Sequence, residues 1–119
     1  MTSDFPRTIK EHQANVRAIP CVITAYPWPT IHHCHGGSMI EAGHDSGGGQ
    51  RGCGEALILP IKADWHVGDQ GIDYGVGVLT WELWYGTQMD HLKEVNEQLD
   101  YDIFQLHEAW KIEAPPRGR

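Results

Sequence analysis

Residues 31–39 read Ile31-His32-His33-Cys34-His35-Gly36-Gly37-Ser38-Met39, and the interpretation of the chain starts from this stretch. A short β-prone segment ends at paired histidines, and glycines that let the backbone turn follow at once. In an extended strand the two histidine side chains point to opposite sides, so they share one site only if the strand twists or ends there. One imidazole can then bind a divalent ion while the other acts as a base.

A second group of metal-binding side chains lies further along the chain. His66 follows the apolar run that ends in Leu59-Pro60-Ile61, and Asp73 comes after two glycines that allow the chain to loop back toward the imidazole. A carboxylate beside an imidazole is typical of a divalent-cation site, and Asp69 is the alternative donor. Such a set suits a phosphodiesterase, because the ion stabilises charge on the phosphate while a neutral histidine activates water. A packing role for His66 and a surface turn for Asp73 remain alternatives.

Charge is distributed unevenly along the 119 residues, a length that predicts one domain. The net charge is -7, but residues 1–66 carry five basic and six acidic side chains, whereas residues 67–113 carry two basic and ten acidic ones. Non-specific DNA affinity comes mainly from Lys and Arg, so we expect the protein alone to bind DNA weakly. A divalent cation bound in the first half would make that surface net positive.

The three cysteines, Cys21, Cys34 and Cys53, form no Cys-x-x-Cys pair. This pattern favours reduced, buried thiols and makes both a disulfide scaffold and a structural zinc ion unlikely. The chain has no run of eighteen apolar residues and no signal peptide, so a cytoplasmic protein without membrane contact is expected.

The pattern of residues also predicts the elements of the first half. Residues 1–18 are polar and predict a flexible arm. Cys21 to Tyr26 and Thr30 to His33 are β-prone and flank Pro27-Trp28-Pro29, which predicts a hairpin that ends at the histidine pair. The glycine-rich stretch 36–54 predicts a long surface loop, and Glu55 to Ile61 predicts a buried strand.

In the second half, Val78 to Tyr85 predicts a helix that stops at Gly86. Asp90 is the expected cap of one final helix, because apolar residues then recur at steps of three and four up to Trp110. That stripe is typical of a core-facing helix, and pairing with a partner protein is the alternative. Residues 114–119 predict a tail.

Taken in order, the motifs are Cys21-x-x-Thr24, His32-His33, Gly36-Gly37-Ser38-Met39, Leu59-Pro60-Ile61, His66, Gly71-Ile72-Asp73 and Trp84-Tyr85-Gly86-Thr87. Over residues 19–100 this order resembles the phage recombination-enhancement nucleases of the HNH superfamily, the Ref-type, RecA-dependent enzymes. The resemblance implies an α+β fold with a small ββα-metal core, here carrying a Gly-rich loop insertion and C-terminal helices, in a nuclease domain over residues 19–113.

The resemblance also implies roles for individual residues. His32 would match a metal ligand, His33 the general base that deprotonates water, and His66 a ligand from the second half of the motif. Asp73 stands where relatives usually place a histidine, which favours magnesium or manganese over zinc. Independently of the resemblance, the residues themselves suggest two phosphate contacts. These are His35, which lies on the same side of the strand as His33, and Arg51 in the glycine-rich loop; the alternatives are a spectator histidine and a solvated surface charge.

Two departures from the family pattern bear on function. Thr24 and Lys62 stand at positions of the zinc knuckles that commonly hold such folds together, so the resemblance implies that the structural zinc is lost. The resemblance as a whole implies a divalent-metal-dependent DNA endonuclease of phage recombination or repair, acting in the host cytoplasm, with a recombinase filament as the candidate partner that presents the DNA. The alternatives are a non-catalytic adaptor that binds a protein through its acidic C-terminal helix, and a metal-binding regulator without cleavage. The sequence leaves the oligomeric state open.

Overall fold

The computed structural model of the chain describes residues 4–45 and 53–118. Within these ranges the fold is α+β, with six helices and a two-stranded antiparallel sheet. The elements are α1 (Ile9–Arg17), β1 (Thr30–His33), α2 (Gly37–Glu41), β2 (Ile58–Ile61), α3 (Ala63–His66), α4 (Val78–Tyr85), α5 (Gln88–Gln98) and α6 (Ile103–Ile112). Among the described residues, no helix is both long and apolar enough to cross a bilayer.

Strand β2 is the centre of the core, as its continuous apolar sequence predicts. All four of its residues are buried, and α1 and α5 both pack against it. Strand β1 pairs with it in antiparallel register, with His32 opposite Leu59 and His33 opposite Ile58. This pairing places the histidine pair at the edge of the hydrophobic core.

The predicted hairpin between Cys21–Tyr26 and β1 is wrong. The first segment is a turn, in which the N–H of Cys21 donates to the carbonyl of Tyr26 and Ala25 has a φ of 62°. The intervening Pro27-Trp28-Pro29 offers little hydrogen-bonding backbone for a ladder, because proline has no N–H. Strand β1 pairs instead with β2, which is distant in sequence. This pairing helps to bury the continuous apolar side chains of β2.

The prediction of a flexible arm over residues 1–18 is corrected for Ile9–Arg17. These residues form α1, and Thr8 caps the helix by accepting the N–H of Glu11. Val16 and His12 are fully buried, because the apolar face of the helix covers β2. This apolar face could not be recognised in the sequence, because polar residues occupy most of the segment.

The C-terminal tail is attached to the start of α1. The carbonyl of Pro116 accepts the N–H of Ile9 at 3.1 Å, and that of Arg117 accepts the N–H of Lys10 at 2.8 Å. The first N–H groups of a helix have no partner inside the helix, so the tail supplies what the helix lacks. The two ends of the described chain therefore stabilise each other.

The predicted surface loop over residues 36–54 contains a helix. In α2, Ser38 and Met39 are buried against α4 and α5. Gly36 permits the start of α2, since its φ is 64°. Part of the stretch, residues 46–52, lies outside the described residues, and so does the predicted phosphate contact Arg51.

The predicted helix α4 is confirmed, including its end at Gly86, where φ is 98°. Trp81 is fully buried, whereas Trp84 is 55% exposed. The predicted single final helix is two helices, and Asp90 lies in the first turn of α5, which Thr87 caps. The apolar stripe continues across the break between α5 and α6, so its spacing did not reveal the interruption.

Candidate metal centre

Asp73 lies at the centre of three histidines, and we call His32, His35, His66 and Asp73 the Asp73 cluster. The Nε2 atom of His35 is 2.7 Å from Oδ1 of Asp73, while Nε2 of His66 and Nδ1 of His32 are 3.0 and 3.4 Å from Oδ2. Burial increases from His35, which is half-buried, to His32, whose side chain is completely buried. The cluster therefore joins the end of β1 to the turn that follows α3.

Glycine makes the return of the chain to His66 possible. The N–H of Asp73 donates to the carbonyl of His66 at 2.9 Å, which fixes the carboxylate next to that imidazole. A Cβ on Gly71 would lie 2.5 Å from the same carbonyl oxygen, which is closer than a side chain tolerates. The sequence inference that glycines let Asp73 approach His66 thus has a specific steric basis.

Gln88 determines which nitrogen of His32 carries the proton. The side-chain amide of Gln88 donates to the carbonyl of His35 at 2.8 Å, so its Oε1 is the atom that faces Nε2 of His32 at 3.0 Å. Because Oε1 can only accept, His32 donates through Nε2. The other nitrogen, Nδ1, is buried without a hydrogen-bond partner and presents its lone pair to Asp73.

Glu82 holds Gln88 in this orientation. Its Oε2 accepts the backbone N–H of Gln88 at 2.8 Å and the side-chain amide at 3.3 Å, and its carboxylate also accepts from the backbone and hydroxyl of Ser38. Burial raises the pKa of Glu82, but the hydrogen bonds from Ser38 and Gln88 outweigh it and leave that pKa lowered. The carboxylate is therefore charged at neutral pH and supports the cluster from behind.

Thr30 fixes the tautomer of His66, as Gln88 does for His32. The hydroxyl of Thr30 donates to the carbonyl of Ile61 at 2.7 Å, so it accepts from Nδ1 of His66 at 2.8 Å. A neutral His66 then presents the lone pair of Nε2 to Asp73. Two neighbours, Gln88 and Thr30, thus direct two imidazole lone pairs at one carboxylate.

Protonation in the cluster follows from these contacts. Burial lowers the pKa of His32, whereas the hydrogen bond to Asp73 raises the pKa of His35. Burial raises the pKa of Asp73, but the three adjacent histidines outweigh it and bring that pKa well below its usual range. A charged Asp73 beside a neutral His32 and a more basic His35 is the state that these contacts favour.

The Asp73 cluster fits a divalent cation. A lone pair that faces a carboxylate is repelled unless a proton or a cation lies between them. Ligand atoms of His32, His35 and Asp73 all lie within 4.8 Å of one another, and Nε2 of His66 is 3.0 Å from the same carboxylate. Neutral imidazoles whose other nitrogens are hydrogen-bonded are what metal-ligating histidines require.

His33, the last residue of β1, is paired with Glu55 rather than with Asp73. Its Nε2 lies 3.0 Å from Oε1 of Glu55, although the pair does not have hydrogen-bond geometry. A neutral imidazole with its proton on Nε2, facing this carboxylate, has its lone pair on Nδ1. Glu55 itself is held by Arg117 at 3.8 Å and by Gln13 at 3.5 Å.

An open groove of about 550 Å³ gives access to the cluster. It is lined by His33 together with His35, His66 and Asp73, and on the far side by Val78 and Tyr74. Tyr74 is 94% exposed, and its φ of 59° lies in the left-handed region, which is strained for an aromatic residue. The groove therefore combines a candidate base, candidate ligands and an exposed ring.

The cysteines belong to neither group of converging ligands. All three are buried free thiols, and among the described residues neither group that could hold a metal ion includes one of them. Burial raises the pKa of Cys53 to about 12 and that of Cys34 well above its usual value. Burial also raises the pKa of Cys21, but hydrogen bonds from Thr24, Lys62 and Ile23 leave it lowered.

The structure brings together the three predicted ligands, His32, His66 and Asp73, and whether they bind metal stays a prediction. It places the predicted base His33 in the same groove and moves His35, predicted as a phosphate contact, to direct contact with Asp73. Sequence reasoning missed the three supporting residues Glu55, Glu82 and Gln88. No local pattern marks them, because each reaches the site through tertiary contacts.

Comparison of the chain with protein-family models, with curated proteins and with solved structures finds no match. The geometry of the groove and of the cluster is therefore the basis for a functional proposal.

Proposed function

We propose that this protein is a divalent-metal-dependent DNA endonuclease with an HNH-like, ββα-metal site. The observation that supports it best is the convergence of three imidazoles on Asp73, with His33 in the same groove. A strand that ends in adjacent histidines, one in the cluster and one beside it, matches the division between ligand and base that the resemblance implies. The α+β fold, in which β1, α3 and α4 contribute residues to the groove, is compatible with such a core.

His32, His35, His66 and Asp73 would hold the ion. The sequence favoured magnesium or manganese over zinc on the strength of Asp73. With His35 added to the set, three nitrogen donors and one carboxylate favour manganese or zinc over magnesium instead, because magnesium prefers oxygen ligands. When bound, the ion would supply positive charge that stabilises the phosphate in the transition state and the departing oxygen. Gln88 and Thr30 keep His32 and His66 in the tautomers that ligation needs.

His33 would take the proton from the attacking water. Glu55 fixes the imidazole and stabilises the positive charge that the proton brings, as a carboxylate does for histidine bases in general. Arg117 and Gln13 prevent Glu55 from turning away. Glu55 is thus a positioning residue in this proposal.

DNA would reach the groove with help from a partner. Among the residues that the structure describes, neither a lysine nor an arginine lines the groove, and the net charge of the chain is -7. Phosphate contacts from Lys and Arg supply most non-specific affinity, so a recombinase filament that presents the DNA would supply what this surface lacks. Tyr74 offers a ring on which an unpaired base could stack, which favours single-stranded or displaced DNA.

The test is cleavage of labelled single-stranded, duplex and recombinase-coated DNA with manganese, magnesium, zinc or chelator. We expect cation-dependent cleavage that His33→Ala slows by about 10²- to 10⁴-fold, because general-base catalysis contributes that much. Lys93→Ala, exposed on α5, is the matched surface control. Equal cleavage by folded His33→Ala and wild type, or no cleavage of any substrate, would refute the proposal.

A non-catalytic adaptor is the second candidate, and exposed apolar side chains favour it. Leu79 and Leu83 are 76% and 82% exposed on one face of α4, and Trp84 is beside them. The acidic residues Asp90 and Glu94 are exposed on the neighbouring α5. An adaptor would bind its protein partner equally well in wild type and His33→Ala, and chelator would leave that binding unchanged.

A further inference from the structure

A second group of candidate ligands lies outside the Asp73 cluster. Ligand atoms of His44, His107 and Glu108 all lie within 4.8 Å of one another. His44 follows α2, while His107 and Glu108 are consecutive residues of α6. We propose that these three side chains form a second cation site, of the type that binds a zinc-like borderline dication.

The burial of His107 supports this site. Its side chain is only 4% exposed, and its Nε2 is buried without a hydrogen-bond partner. A buried polar atom without a partner is costly unless a ligand satisfies it.

His44 is held in place for the same site. Its backbone N–H donates to the carbonyl of Met39 at 3.0 Å, and its ring stacks on Phe104 with centroids 5.9 Å apart. The rings of His44 and His107 meet edge to face, with centroids 5.2 Å apart. Two imidazoles held this close, with a carboxylate beside them, match the donor set of many zinc sites.

Lys111 is the competitor for this site in the absence of a cation. Its Nζ lies 3.1 Å from Oε1 of Glu108, in a solvent-exposed ion pair one helical turn long. Exposed pairs of this kind are weak, so a dication can replace the lysine as the partner of the carboxylate. Removal of Lys111 should therefore strengthen cation binding. If the two histidines had only a structural role, no such increase in affinity would be expected.

The experiment is a zinc titration of the full chain, stripped of metal by chelator, in an Asp73→Asn, His35→Ala background that removes two of the four candidate ligands of the first cluster. His35→Ala with His66→Ala is a second background, in case the first does not fold. We expect one equivalent of zinc to remain bound in these backgrounds. Glu108→Gln should weaken its affinity about tenfold or more, His44→Ala should abolish it, and Lys111→Gln should tighten it.

Glu113→Gln, exposed just after α6, is the matched control and should leave the affinity unchanged. The proposal fails if neither folded background binds zinc, or if Glu108→Gln and His44→Ala bind it as tightly as the control. The readout is zinc affinity alone, so a protein that cleaves no DNA would still test this site.

Discussion

At the residue scale, Gln88 connects the protein's interior to its candidate metal centre. Gln88→Leu would leave Nε2 of His32 without an acceptor and Glu82 without the side-chain amide that donates to it. The backbone donor of Gln88 remains, so the larger loss is at His32. We expect metal affinity to fall about 10- to 100-fold, as it does when a partner of a ligating histidine is removed.

Titration calorimetry with manganese or zinc measures this loss. Gln98→Leu is the matched control, because Gln98 is exposed on the same helix α5 and far along it from the cluster. Equal affinities of folded Gln88→Leu and Gln98→Leu would show that the tautomer of His32 is not set by Gln88.

Tyr74 has a backbone conformation that costs stability. Its positive φ disfavours any side chain with a Cβ, so Tyr74→Gly should raise the free energy of unfolding by about 1 kcal/mol relative to Tyr74→Ala. Because the ring is almost wholly exposed, little packing is lost in either variant. Urea denaturation of the two variants checks the sign, and a less stable glycine variant would contradict the strain argument.

The candidate site also shows which residues sequence can and cannot identify. His32, His66 and Asp73 could be proposed together because strand, turn and glycine signals lie next to them in the chain. Glu82 and Gln88 could not, since each touches the site from a helix whose sequence predicts only packing. Their role depends on how α4 and α5 pack beside β1, which local patterns do not encode.

At the scale of elements, a side-chain cap separates α5 from α6. The carboxylate of Asp102 accepts the N–H of Phe104 at 2.8 Å and that of Gln105 at 3.4 Å. Asp102→Ala should lower the free energy of unfolding by about 1 kcal/mol, the usual cost of losing an N-cap. Asp100→Ala, exposed in the same turn, is the control and should stay close to wild type in urea denaturation. Equal stabilities of the two variants would mean that the Asp102 cap does not stabilise the break between α5 and α6.

The sequence predicted correctly those elements that are marked by an apolar run within their own residues. It did not predict the elements whose formation depends on contacts with residues far away in the chain. Strand β2 and helix α4 follow from compact apolar runs with clear ends. The prediction of a single final helix was wrong. Asn96 near the end of α5 and Asp102 at the start of α6 form hydrogen bonds across the break, and neither residue disturbs the apolar spacing. Helix α1 was missed because its stability comes from β2, the C-terminal tail and His12.

At the scale of the whole molecule, His12 connects three distant parts of the chain. Its Nε2 donates to the carbonyl of Ala56 at 2.9 Å, and its Nδ1 accepts from the hydroxyl of Tyr101 at 2.7 Å. That hydroxyl also accepts from Asn15, so its own proton is directed at His12. Both nitrogens of a neutral imidazole are thus satisfied, and a second proton on the ring has no acceptor.

This arrangement predicts how stability depends on pH. Burial lowers the pKa of His12 below its ordinary value of 6.5, so as pH falls below that value the unfolded chain takes up a proton that the folded protein does not. The stabilisation is complete above the unfolded pKa and is lost as pH falls toward the folded pKa, with a slope of up to about 1.4 kcal/mol per pH unit for each such proton. His107 acts in the same direction, whereas His35, with its raised pKa, opposes it.

Urea denaturation in the presence of chelator, from about pH 7.5 to about pH 5.5, tests this dependence. We expect the free energy of unfolding of the wild type to fall over this range. His12→Gln should be less stable at the upper end and should show a shallower slope, because glutamine does not titrate. Lys93→Gln, exposed on α5, should keep the wild-type slope. A slope that His12→Gln leaves unchanged would locate the proton uptake elsewhere and would remove His12 as the link between α1, the segment before β2 and the start of α6.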